Sequence, residues 1–171
     1  PFINYLAWMI PWGTPVTLLG STPEQVHAAH RELVRVGIDN AVGQAAGGPE
    51  AWLEDPAAAQ RLEQVDFHGV AAALAGGRDV WLLDTRQVLE WESGHIDGAV
   101  FVPFCEVADR RSEIPRDKPV YVYCGSGYRA AAVASLLLHH GFTNIVHIDD
   151  DFADAVGAGL TLGVRGGGVL V

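Results

Sequence analysis

The sequence predicts an α/β fold, a parallel central sheet flanked by helices, with a partial second copy of the same arrangement at the N-terminus. Three observations carry that expectation. Short β-branched and aromatic runs alternate with longer apolar stretches, the pattern of strands joined by crossover helices. Residues 10–42 align without a gap on residues 114–146, a shift of 104 positions. The 33 aligned positions hold nine identities, including Pro11/Pro115, Pro15/Pro119, Gly37/Gly141 and Asn40/Asn144, residue types that punctuate chains. Finally, 171 residues at 49% hydrophobic and 19% charged are enough to bury about 70% of the extended surface, which excludes a disordered tail.

The elements follow in order. Phe2, Tyr5, Trp8 and Trp12 fall at helical spacing and read as core, or as a face that meets a missing half-domain. The first copy then supplies a strand at residues 16–19, a helix and a second strand. It has no equivalent of residues 62–104, so it is half a domain with an open sheet edge, and it predicts either a cut chain or a partner that fills the gap. The opening at Pro1, without Met, agrees with a cut end. The expected division is a partial, inactive copy over residues 1–55, a linker over 56–61, a complete domain over 62–164 and a flexible Gly-rich tail over 165–171.

Within the complete domain, residues 62–66, 80–84 and 99–102 read as strands and residues 70–75 as a helix. Val120–Tyr123 is a strand buried on both faces. Residues 128–140 form an apolar helix, with Gly141 placed for a left-handed C-terminal cap, and residues 145–148 give the next strand. Ligand sites of parallel sheets lie at the carboxyl ends of strands, which puts Cys124 at such an end.

Charge and cysteine usage exclude several functions. Lys and Arg number 11 against 21 Asp and Glu, a net charge of −10 that repels nucleic acid and anionic lipid. Residues 1–23 lack charged side chains, but Pro11, Gly13 and Pro15 interrupt them, so no membrane span is expected. Two cysteines build no disulfide framework and suit the cytoplasm. No metal site is expected: His27 and His30 share a helix face without a third ligand, and Asp149, Asp150 and Asp151 read as a solvated turn. Cys105 reads as a packing residue, Asp84 and Arg86 as an internal ion pair, and His95 as a local hydrogen-bonding residue.

The chemistry concentrates in Cys124-Gly125-Ser126-Gly127-Tyr128-Arg129. Two glycines let successive N–H groups turn inward as an anion-binding concavity, and the positive end of the following helix adds to it. A thiol at a helix N-terminus beside an Arg is held as thiolate at neutral pH, its pKa falling from about 8.5 into a range of roughly 3.5–7.5. Cys124 would then be a standing nucleophile that needs no His base.

This string resembles the active-site loop of rhodanese-type sulfurtransferases. The upstream Asp84-Thr85-Arg86, Glu90-Trp91, Gly94-His95-Ile96-Asp97-Gly98-Ala99 and Pro103 resemble the family's other signature, and the likeness spans about residues 62–162. The resemblance implies that Cys124 takes a sulfane sulfur from a small anionic donor such as thiosulfate, holds it as a persulfide and passes it to a thiol or to cyanide, with no cofactor. It implies that the amides of Gly125, Ser126, Gly127, Tyr128 and Arg129 hold the persulfide's charge, and that Arg129 binds the donor or fixes the loop. Gly125 departs from the Arg that many members carry after the cysteine, and residues 150–155 replace the family's closing Gly-Gly motif. The first copy has Gly20 in place of Cys124 and Gln25 in place of Arg129, so it is expected to be inactive. A degenerate copy before an active one is similar to the tail of fusion proteins that begin with a metallo-β-lactamase-fold persulfide dioxygenase, which would lie upstream of Pro1.

Two other classes compete. A cysteine-loop phosphatase or arsenate reductase needs a longer cradle, five residues between Cys and Arg where this chain has four. A non-catalytic binding module would have no use for both Cys124 and Arg129.

Overall fold

The computed structural model describes residues 2–53, 55 and 61–163, so the expected linker, apart from Arg61, and the Gly-rich tail lie outside the described residues. The chain forms two compact units, Pro1–Arg61 and Leu62–Val171. Among the described residues no helix is long and apolar enough to cross a membrane.

The first unit contains α1 (Phe2–Met9), β1 (Val16–Gly20), α2 (Pro23–Arg35), β2 (Ala41–Ala46) and α3 (Pro49–Trp52). β1 and β2 pair in parallel, from Val16 opposite Ala41 to Gly20 opposite Ala46. α2 starts where Thr22 accepts a hydrogen bond from Gln25 N at 3.3 Å and Pro23 opens the first turn. Its Val26 and Leu33 pack with Ile3, Leu18 and Ile38 into a small core. Trp8 and Trp12 are 55% and 75% exposed, and Trp12 lies beyond the end of α1, so these two are not core.

The second unit carries β3 (Glu63–Val65), α4 (Phe67–Ala75), β4 (Trp81–Asp84), α5 (Val88–Ser93), β5 (His95–Ile96), β6 (Val100–Phe101), α6 (Val107–Arg110), β7 (Val120–Tyr123), α7 (Tyr128–His139), β8 (Ile145–Ile148) and β9 (Leu162–Gly163). Five strands form one parallel sheet in the order β3-β8-β7-β4-β6, flanked by helices. β7 lies in the middle, which is why Val120, Tyr121, Val122 and Tyr123 are all buried. Each such side chain stabilises the fold by about 1.5–3 kcal/mol. α4 starts earlier than the apolar pattern suggests, because Asp66 accepts from Gly69 N at 2.7 Å and sets the first turn three residues ahead of the periodic run. β9 pairs antiparallel with β5, which ties Gly163 to His95.

The two β–α–β segments share several backbone hydrogen bonds at aligned positions. Val16 N donates to Asn40 O as Val120 N does to Asn144 O, and Ile38 N to Leu33 O as Phe142 N does to Leu137 O. Gly37 and Gly141, at φ 81° and 78°, both take the left-handed conformation that ends α2 and α7. The punctuating residues of the alignment therefore hold matching turns. The sheets differ in width: β7 has β4 on its second side, whereas the first unit's sheet has two strands among the described residues.

Candidate active site

Cys124 directly follows the last residue of β7 and is 1% exposed. Gly125, Ser126 and Gly127 turn the chain into α7, whose first residue, Tyr128, is exposed. Two anchors hold this turn. Phe152 N donates to Gly125 O at 3.0 Å beside a bridge between Ser126 and Asp151. On the other side Gly127 O accepts from Ala131 N at 2.8 Å and from His147 Nε2 at 3.0 Å. A carbonyl only accepts, so His147 carries its proton on Nε2, and its Nδ1 accepts from Gln64 Nε2 at 3.2 Å. His147, 2% exposed on β8, is thus held by a hydrogen bond at each ring nitrogen.

Gly127 must be glycine. Its φ is 82°, and a Cβ there would lie 2.6 Å from Asp149 Oδ1. As N-cap of α7 it offers no side-chain hydrogen bond, unlike Thr22 and Asp66 at the starts of α2 and α4. The N–H groups of a helix's first turn point along its axis with a partial positive charge, so this end of α7 favours negative charge at the loop.

Arg129 is buried in that first turn and meets Glu90 of α5 with both ends of its guanidinium, Nη1 to Oε2 at 2.5 Å and Nη2 to Oε1 at 2.7 Å. Glu90 Oε2 also accepts from Gln87 N at 3.0 Å, closing a capping box on α5. The Arg129 hydrogen bonds hold the Glu90 carboxyl below its ordinary value. Gly125 lies against this ion pair: a Cβ there would be 2.9 Å from Arg129 Nη2 and 3.3 Å from Glu90 Oε1. Of the residues expected to bind substrate, Gly125, Ser126, Gly127 and Tyr128 form the turn after Cys124, while the Arg129 guanidinium is directed to Glu90.

A second ion pair lies at the end of β4. Asp84 and Arg86, both buried, join at 2.7 Å, and Arg86 Nη2 also donates to Gly94 O at 2.7 Å. The Arg86 guanidinium covers the Phe152 ring at 3.7 Å, and Phe152 is the residue that anchors Gly125. Thr85 donates to Tyr123 O from both its N and its Oγ1. Burial, with the Asp84 charge added, pushes the Tyr123 phenol above its ordinary value. The Asp84-Thr85-Arg86 signature thus braces the cysteine turn from behind.

His95 donates from Nδ1 to Trp91 O at 3.1 Å and stacks on the Trp91 ring, a local role. Cys105 is exposed, which overturns its reading as a packing residue: the turn after Phe104 directs it outward while Phe104 itself is buried. Sequence reasoning missed His147 and Phe152 as supports of the loop, and Asp149 as the neighbour that leaves no room for a side chain at Gly127. Only His147 left a signal, as the one polar residue within the buried strand Ile145–Ile148.

Residues 66–156 match the rhodanese-like domain family. The chain belongs to that family. Uncharacterized protein YqhL of Bacillus subtilis is 40% identical over 70 residues, 41% of this chain and 56% of its own length. The tRNA uridine(34) hydroxylase of Chlamydia caviae is 38% identical over 88 residues, 45% and 27% of the two chains. A probable adenylyltransferase/sulfurtransferase, MoeZ of Mycobacterium tuberculosis, is 31% identical over 68 residues, 39% and 17%. The chain thus spans about half, or less, of these curated relatives. Among solved structures, the rhodanese-like domain of the Anabaena Alr3790 protein covers 61% of this chain and 81% of its own at TM-score 0.56 and 24% identity. A rhodanese-like domain protein from Staphylococcus aureus covers 61% and 100% at TM-score 0.55 and 20% identity. At these identities the structural likeness establishes the rhodanese-like fold alone.

Proposed function

We propose that this chain is a sulfurtransferase working through Cys124. The Cys124 sulfur attacks the outer sulfur of thiosulfate or of an organic persulfide. The new S–S bond forms as sulfite or the carrier thiolate leaves, and the enzyme is left as a Cys124 persulfide. A second thiolate, or cyanide, then takes that sulfur and regenerates Cys124. The observation that carries this reading is the placement of Cys124 between the central buried strand and the start of α7, where the N-cap Gly127 offers no side chain of its own. Amides there stabilise the charge on the terminal persulfide sulfur without having to reorganise.

On the same reading the first unit is a partial, non-catalytic copy with Gly20 and Gln25 at the positions of Cys124 and Arg129. An upstream segment, such as a metallo-β-lactamase-fold domain with the rest of that copy, or a second chain completes it, and the protein acts in the cytoplasm.

The test is intact-protein mass after incubation with thiosulfate and, separately, with an organic persulfide. Cys124 should gain the mass of one sulfur atom, and a thiol should remove it. Cys124→Ser should abolish both the adduct and turnover. Unchanged turnover in Cys124→Ser would refute the proposal.

A further inference from the structure

We infer that Glu90 sets the donor specificity of this site: by engaging both ends of the Arg129 guanidinium it favours a monoanionic persulfide on an uncharged carrier over dianionic thiosulfate. The inference rests on the sulfurtransferase reading and goes beyond it by naming the donor class and the residue that selects it.

The charges around the loop carry the argument. The guanidinium nearest the residue after Cys124 is cancelled by Glu90, whose Oε1 would lie 3.3 Å from a Cβ on Gly125. Arg86 is cancelled in the same way by Asp84. The Asp149 carboxylate lies against Gly127, and neither ion pair leaves a net positive charge, so the side chains around the loop add negative charge. The whole chain adds to this with a net charge of −10. What remains positive is the start of α7, worth roughly half an elementary charge. That suffices for the single charge of a persulfide. A dianion meets twice the repulsion, while the guanidiniums of Arg129 and Arg86 are already engaged by carboxylates. Gly125 brings no side-chain donor of its own, and Tyr128, 70% exposed at the start of α7, offers an aromatic surface to an organic carrier.

In the favoured step R–S–S⁻ meets the Cys124 thiolate. The bond from Cys124 to the outer sulfur forms as the bond from that sulfur to the carrier breaks, giving the Cys124 persulfide and R–S⁻. Charge and sulfur balance, and no oxidant is consumed.

The experiment compares kcat/KM for thiosulfate and for the persulfide of 2-mercaptoethanol in the full chain. Wild type should favour the persulfide. Glu90→Gln removes the charge but keeps an oxygen acceptor for Gln87 N, so α5 retains its capping box. It should raise the thiosulfate-to-persulfide ratio about tenfold, whereas Glu63→Gln, the same charge change on an exposed residue of β3, should leave that ratio within about twofold. A salt series on the wild type supplies a readout independent of any variant: the ratio should rise with ionic strength. A ratio unmoved by both Glu90→Gln and salt, or a wild type that takes thiosulfate as readily as the persulfide, overturns the inference and leaves the sulfurtransferase reading standing. If neither donor places sulfur on Cys124, the sulfurtransferase reading falls and the specificity inference falls with it.

Discussion

Replacing Gly127 with Ala perturbs the loop where an added Cβ meets Asp149, and the cost follows from two separate terms. The backbone at φ 82° is left-handed, which costs a residue with a Cβ about 1–2 kcal/mol. The added methyl would also lie 2.6 Å from Asp149 Oδ1, so the carboxylate must turn away, an overpacking cost of about 1–2 kcal/mol. Gly127→Ala should therefore lose about 2–4 kcal/mol in urea unfolding, a large share of the 5–15 kcal/mol typical of a domain. Sulfur loading of Cys124 should slow with it, since the Gly127 carbonyl, which accepts from Ala131 N and His147 Nε2, anchors the turn at the start of α7. Adding Asp149→Ala separates the two terms, relieving the clash but not the backbone conformation. The double variant should recover about half of the loss. A single variant within about 0.5 kcal/mol of wild type, or a double variant that recovers everything, would refute the reasoning.

The remaining predictions concern the braces around the loop. Arg86→Met leaves the buried Asp84 carboxylate without its partner and should cost about 3–5 kcal/mol in urea unfolding; a loss below about 1 kcal/mol would mean that water or another group compensates. His147→Leu takes the donor from Gly127 O and the acceptor from Gln64, for a loss of about 1–3 kcal/mol. His147→Gln, which retains an N–H donor, should restore most of it, and equal losses in the two would show that packing rather than hydrogen bonding matters there. Glu90 has its carboxyl held below the ordinary 4.5 in the fold, so the unfolded chain binds its proton first as pH falls. Its pairing with Arg129 therefore stabilises the fold above about pH 4.5 and is lost as pH drops through the lower folded value. Because that side chain is 37% exposed, the contribution is below about 1 kcal/mol. Glu90→Gln should flatten that part of the acid limb of the stability profile, and an unchanged limb would contradict the assignment.

Much of the fold was legible because its signals are local. The run Val120–Tyr123 reads as a strand buried on both faces, and the sheet places it between β4 and β8 as that reading requires. Gly141 reads as a left-handed cap and has φ 78°. The short elements were not legible: α5 and α6 are six and four residues long, too brief for periodicity to register, and β5 and β9 are two-residue strands set by each other across the chain. At the site, the cysteine turn and its glycines were visible as a motif, but the partners that fix them were not. Glu90 lies 39 residues from Arg129 and His147 lies 20 from Gly127.

The sequence by itself determined where strands and helices alternate, which thiol sits at a strand end before a helix, and where glycine permits the chain to turn. These depend on interactions within a few residues of chain. Only the tertiary structure decided that Cys124 is buried and Cys105 exposed, that Arg129 is held by a carboxylate, and that His147 supports the loop. Those outcomes depend on the strand order that brings β8 beside β7 and on the packing that sets α5 against the start of α7, and a charge or a carbonyl finds its partner only after the sheet has formed.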